Sequence, residues 1–108
     1  MVFDVHKVTG IGKYTEKHEP NDTDESKSRT IYYKDKSNKA FLVINKHTIE
    51  LRTDRELAKL LENKYESVME SRYFGRGGIE IVIAGNQLPE DELCDLVRLS
   101  YNLTDIAA

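Results

Sequence analysis

Residues 30–64, TIYYKDKSNKAFLVINKHTIELRTDRELAKLLENK, decide the fold class, because inside them the apolar spacing switches from a strand period to a helix period. TIYYK and AFLVI are β-branched and aromatic runs joined at Lys36, Ser37 and Asn38, and asparagine tolerates the left-handed backbone that tight turns need. A second reversal at Asn45, Lys46 and His47 leads to TIELR, where Ile49 and Leu51 alternate with Thr48, Glu50 and Arg52. Three antiparallel strands in meander order follow, and the apolar AFLVI run marks the middle one as the most buried. At Thr53 the period changes. Thr53 and Glu56 stand at capping-box spacing, in which hydroxyl and carboxylate each satisfy an orphan amide of the first turn. Leu57, Leu60, Leu61 and Lys64 or Tyr65 then recur at helical spacing, which predicts a helix over 54–63 with its leucines facing the sheet.

Outward from this centre the signals weaken. Toward the N-terminus, residues 2–8 (VFDVHKV) read as a strand, while residues 13–28 hold one aromatic, no aliphatic side chain and a cluster of polar turn formers, which predicts a long, exposed, mobile loop. Toward the C-terminus, YESVMES reads as an irregular link and residues 79–83 (IEIVI) as a short strand with Ile79, Ile81 and Ile83 inward. A last helix starts near Pro89, whose fixed φ suits the first helical position, and Glu90, Asp91 and Glu92 complement the positive end of its dipole. Leu93, Leu96, Val97, Ser100 and Tyr101 form its inward stripe. The expectation is one α+β domain over 1–108, an antiparallel sheet of a meander plus a late strand packed against two helices.

Composition fits that size. The 108 residues are 39% hydrophobic and 32% charged, a globular balance with room for one core, and no apolar run is long enough to cross a membrane. With no basic-then-apolar opening segment and a single cysteine, Cys94, a reducing cytoplasmic setting is expected. Net charge is −3, unlike a protein that coats nucleic acid, but it is unevenly spread: residues 27–64 hold 10 basic against 5 acidic side chains, and residues 66–108 hold 3 against 8.

No catalytic or cofactor constellation stands out. His6, His18 and His47 lack partners at metal-ligand spacing, Cys94 sits beside Leu93 on an apolar helix face, and Asp91, Glu92 and Asp95 lie on that helix's solvent side. GRGG at 75–78 precedes a strand, whereas a phosphate-cradling loop precedes a helix. No enzyme activity, cofactor or metal is expected. What remains is binding. Arg72, Tyr73, Phe74 and Arg76 can stack on and neutralise exposed nucleotides, or the aromatics can enter the core while the arginines reach outward. Lys34, Lys36, Lys39, Lys46 and Arg52 supply further cations for phosphate, although lysines at strand ends also guard a sheet against edge-to-edge pairing.

Several of these segments resemble the MmcQ/YjbR family of small bacterial proteins. The similarity runs through Lys39-Ala40-Phe41-Leu42-Val43, Glu56-Leu57-Ala58-Lys59-Leu60-Leu61, Tyr65-Glu66-Ser67-Val68, Ile79-Glu80-Ile81-Val82, Leu88-Pro89-Glu90 and Ser100-Tyr101-Asn102-Leu103. It rests on order and spacing over about residues 30–105, and a wider relation to the TfoX N-terminal domain is in keeping with it. Two departures are evident: Gly77-Gly78-Ile79-Glu80 replaces an aromatic and polar signature, and the family's N-terminal helix is missing. The resemblance implies an α+β fold and a non-enzymatic DNA-binding module with paired wing-like projections. The alternative expectation is a protein-interaction or structural module that forms a homodimer.

Overall fold

The computed structural model describes residues 4–21, 23, 28–35, 38–83 and 88–106, the side chains of 105 and 106 excepted. Among the described residues six strands form one antiparallel sheet: β1 (Tyr14–Glu19), β2 (Arg29–Lys34), β3 (Ala40–Asn45), β4 (Thr48–Arg52), β5 (Val68–Ser71) and β6 (Gly75–Val82), in the order β1-β2-β3-β4-β6-β5. Helix α1 (Arg55–Lys64) links β4 to β5, and α2 (Glu90–Ile106) follows β6. α2 packs on β3 and β4, and α1 packs on β5 and β6. The α+β class and the central meander agree with the sequence pattern.

A bulge explains how AFLVI is buried on both sides. Tyr32 pairs with Leu42 but Tyr33 pairs with Ala40, so Phe41 is the extra residue on β3. Phe41 and Leu42 therefore both enter the core under the helices, while Ala40 and Val43 pack with Ile31 on the opposite face. The buried Ser100 hydroxyl of α2 closes the gap in the ladder, accepting from Arg52 N–H at 2.8 Å and donating to the Phe41 carbonyl. Leu93, Leu96, Val97 and Tyr101 are buried beside it as the helical spacing predicts.

Several local expectations are corrected. Residues 5–7 form a 3₁₀ turn, not a strand, because Asp4 caps it by accepting from His6 N–H at 2.9 Å and Val5 and Val8, three apart, both reach the core. Tyr14–Glu19, predicted as part of a loop over 13–28, pairs residue for residue with β2. Its ladder needs no apolar side chains, since β2 supplies the partner groups and only Tyr14 packs inward. The link at 65–71 contains β5, and β6 begins four residues earlier than the predicted 79–83 strand. The cap of α1 is Asp54, whose carboxylate accepts from Leu57 N–H at 2.7 Å, while the Thr53 hydroxyl donates to the Asp54 carbonyl. Leu60, predicted to face the sheet, turns outward at 62% exposure, and Ala58 and Leu61 take the buried face. Lys36 and the Ser37 of the predicted first turn lie outside the described residues, as does the predicted turn at 84–87.

Candidate nucleic-acid interface

Both helices pack on one face of the sheet, and the β5–β6 turn folds over only part of the other, which neither helix covers. Strand alternation puts Lys17, Arg29, Val43, Glu50, Glu80 and Met69 on this open face, since Lys17 pairs with Ile31, Ile31 with Val43, Val43 with Glu50, and Glu50 with Glu80. Two glutamates thus face each other across neighbouring strands. Each is only 2% exposed. Like charges opposite one another destabilise a sheet, so their burial requires compensating donors.

The turn at 72–74, together with Ser71, Asn45 and Thr48 of the strands, supplies those donors. Glu50 Oε1 accepts from Ser71 Oγ and from Tyr73 N–H, each at 2.9 Å, and its Oε2 accepts from Asn45 Nδ2 at 2.9 Å. Glu80 receives Arg72 in a two-pronged contact, Nε to Oε1 at 3.0 Å and Nη2 to Oε2 at 2.8 Å, with the Thr48 hydroxyl on Oε2 at 2.7 Å. Burial by itself raises the Glu80 pKa, but the hydrogen bonds from Arg72 and Thr48 outweigh it and hold the carboxyl below its usual range. Asn45 also donates to Thr48 at 3.0 Å, so the two carboxylates belong to one connected network.

Glycine makes room for this turn. A Cβ at Gly78 would lie 2.5 Å from Phe74 Cβ and 2.7 Å from the Leu51 carbonyl, so only glycine lets the turn lie flat on β6. Gly75, at φ +70°, reverses the chain out of it. Tyr73 and Phe74 then sit edge to face with centroids 4.9 Å apart. The Arg29 guanidinium lies 5.2 Å from the Tyr73 centroid, and that of Arg52 lies 5.0 Å from the Phe74 centroid. Arg29 is also paired with Glu19 at 2.9 Å, and Arg52 Nε donates to the Ala40 carbonyl at 2.6 Å. Burial, and secondarily hydrogen bonding with Tyr33, raises the Tyr73 pKa, and the residue remains 36% exposed.

The sequence-predicted cations divide between the two faces. Arg52 and Arg72 share the open face with Arg29 and Lys17, and β6 alternation puts the exposed Arg76 on the same side as Gly78 and Glu80. Lys46 is exposed in the β3–β4 turn, beside a shallow depression of about 590 Å³ that Arg29, Asn45 and His18 help to line. Lys34 and Lys39 turn to the helix side: Lys34 Nζ lies 4.5 Å from the Tyr101 ring centroid, and Lys39 Nζ donates to the Thr104 carbonyl at 3.3 Å. Lys36 is not among the described residues. Sequence reasoning missed Lys17, because β1 carried no strand signal, missed Arg29, the first residue of β2, and assigned no role to Glu50 or Glu80. Among the described residues no three His, Cys, Asp or Glu side chains gather in a metal-ligand cluster, and no helix is long and apolar enough to cross a membrane. Cys94 is buried, and burial raises its thiol pKa. Comparison of the chain with protein-family models, with curated proteins and with solved structures finds no match for it.

Proposed function

We propose that this chain is a small non-enzymatic nucleic-acid-binding module that uses the open face of its sheet. The observation carrying the reading is that Lys17, Arg29, Arg52, Arg72 and Arg76 share a face that neither helix covers, with Arg29 beside the Tyr73 ring and Arg52 beside that of Phe74. Guanidinium groups beside aromatic rings suit phosphate and base together. The carboxylates on this face are spoken for: the Glu50 and Glu80 oxygens receive structural hydrogen bonds, and Glu19 pairs with Arg29, which favours a holding role over acid–base work. Membership of the MmcQ/YjbR group, with its DNA-binding expectation, belongs to the same proposal. So does a cytoplasmic location.

Titration of labelled DNA and RNA at low salt tests it. Binding should fall steeply as salt rises, and Arg76→Glu should weaken it, since Arg76 is exposed and projects from the proposed face. Absence of binding at low salt overturns the reading. A second reading, a protein-interaction module, draws on the acidic outer side of α2, where Glu90, Asp91 and Asp95 are exposed. A protein that binds no nucleic acid but self-associates in a salt-sensitive way would favour it.

A further inference from the structure

Resting on the nucleic-acid reading, we infer that the open face takes single strands in preference to duplex, with Tyr73 as the surface on which an unpaired base stacks. Width is the first argument. The cations stand on β1, β2, β4 and β6, and β1 to β6 is four strand spacings in the sheet order, about 19 Å. A duplex major groove is only about 12 Å wide and admits a helix or a two-stranded ribbon. A face this broad meets a duplex only at its backbone. It leaves Tyr73 no base to touch, because paired bases are stacked on each other.

Rigidity is the second argument. Tyr73 is fixed through its backbone N–H to Glu50, its ring edge-on to Phe74, its hydroxyl at Tyr33 and its contact with Arg29. A ring held in this way loses little freedom when a base lands on it. The buried glutamates act from below, as anchors for the turn, while Arg72 stays 75% exposed above Glu80 with part of its guanidinium turned to solvent. Charge complementarity supplies the third argument. Lys17, Arg29, Arg72 and Arg76 all have solvent-accessible side chains on this face, and the acidic residues of α2 lie on the opposite side of the sheet.

The test uses the whole chain and fluorescence anisotropy with a mixed-sequence oligonucleotide of about 12 nucleotides, within the roughly 4–16 of one small β module, offered as DNA, as RNA and as duplex. Single strands are expected to bind more tightly than duplex. Neutralising up to about four phosphates gives a slope of log K against log salt near −3, at about 0.7 per contact. Tyr73→Ala should weaken single-strand binding about fivefold or more, Tyr73→Phe should retain it, and Lys17→Glu should flatten the salt slope. Thermal unfolding of each variant separates lost binding from lost fold. Duplex bound as well as single strand overturns this inference and leaves the nucleic-acid reading standing. Binding abolished by Lys34→Glu but untouched by folded Tyr73→Ala overturns it too, by moving the site to the helix side. No binding of any oligonucleotide, or equal competition by polyglutamate, overturns the nucleic-acid reading itself.

Discussion

At the scale of single residues, the most consequential positions are Glu50, Glu80 and Gly78. Glu50 gathers three donors, so Glu50→Ala leaves Ser71 Oγ, Tyr73 N–H and Asn45 Nδ2 without their acceptor. A loss of about 2–3 kcal/mol is expected in urea denaturation, the usual penalty for stranded buried donors. Gly78→Ala should cost at least about 1–3 kcal/mol, because the Leu51 carbonyl it meets is backbone and cannot swing away. Glu80 makes a prediction about acid. Its carboxyl pKa is lowered in the folded protein, so its contribution is complete above the unfolded glutamate value of about 4.3 and disappears as pH falls through the lower folded value. Glu80→Gln should therefore flatten the loss of stability below about pH 4.3. The cost at neutral pH should be modest, about 1–2 kcal/mol, because Arg72 remains largely in water. Denaturation curves collected across the acid range measure both.

At the scale of elements, α1 and β1 show two different sources of order. The start of α1 rests on Asp54, and Asp54→Ala should destabilise by about 1 kcal/mol while Thr53→Ala, whose hydroxyl reaches only the Asp54 carbonyl, costs less. Comparing the two by thermal melts distinguishes the observed cap from the capping-box alternative. Both residues are cap formers at adjacent positions, and choosing between them depends on the angle at which the chain leaves β4. That angle is held by the Thr53 N–H bond to the Gly77 carbonyl at 2.7 Å, a contact across 24 positions of sequence that no local pattern carries. β1, by contrast, is held mainly by its ladder. Amide exchange should be much faster in β1 than in β3, whose residues 40–43 are buried on both faces.

At the scale of the whole molecule, one twisted sheet separates two surfaces of different chemistry. The helix side carries the principal core, with Phe41, Tyr14 and Tyr101 in edge-to-face contact, and the acidic outer surface of α2. The open side carries a smaller apolar cluster, the buried glutamate network and the arginines. A charge total of −3 conceals this division. Substituting Lys34 and Lys39 together by Glu should leave nucleic-acid binding nearly unchanged, since both turn to the helix side, whereas Arg76→Glu should weaken it several-fold; anisotropy titrations on the two proteins compare the faces directly.

The sequence by itself determined the elements whose signals are local and periodic. These are the meander of β2, β3 and β4, the two helices, the inward stripe of α2 and the inward alternation of Ile79 and Ile81. Each follows from side chains repeating at the period of the backbone that carries them. Only the tertiary structure decided that a polar segment becomes β1, that Phe41 and Leu42 share a face through a bulge, and that Ser71 to Phe74 fold back over Gly78. It also decided that two glutamates from alternating strands lie buried beneath that turn and that the predicted cations part onto opposite faces. The physical reason is common to these cases. A hydrogen-bond ladder, a buried carboxylate and a surface patch are each completed by groups distant in sequence, so the residues involved carry no local sign of the partner that fixes them.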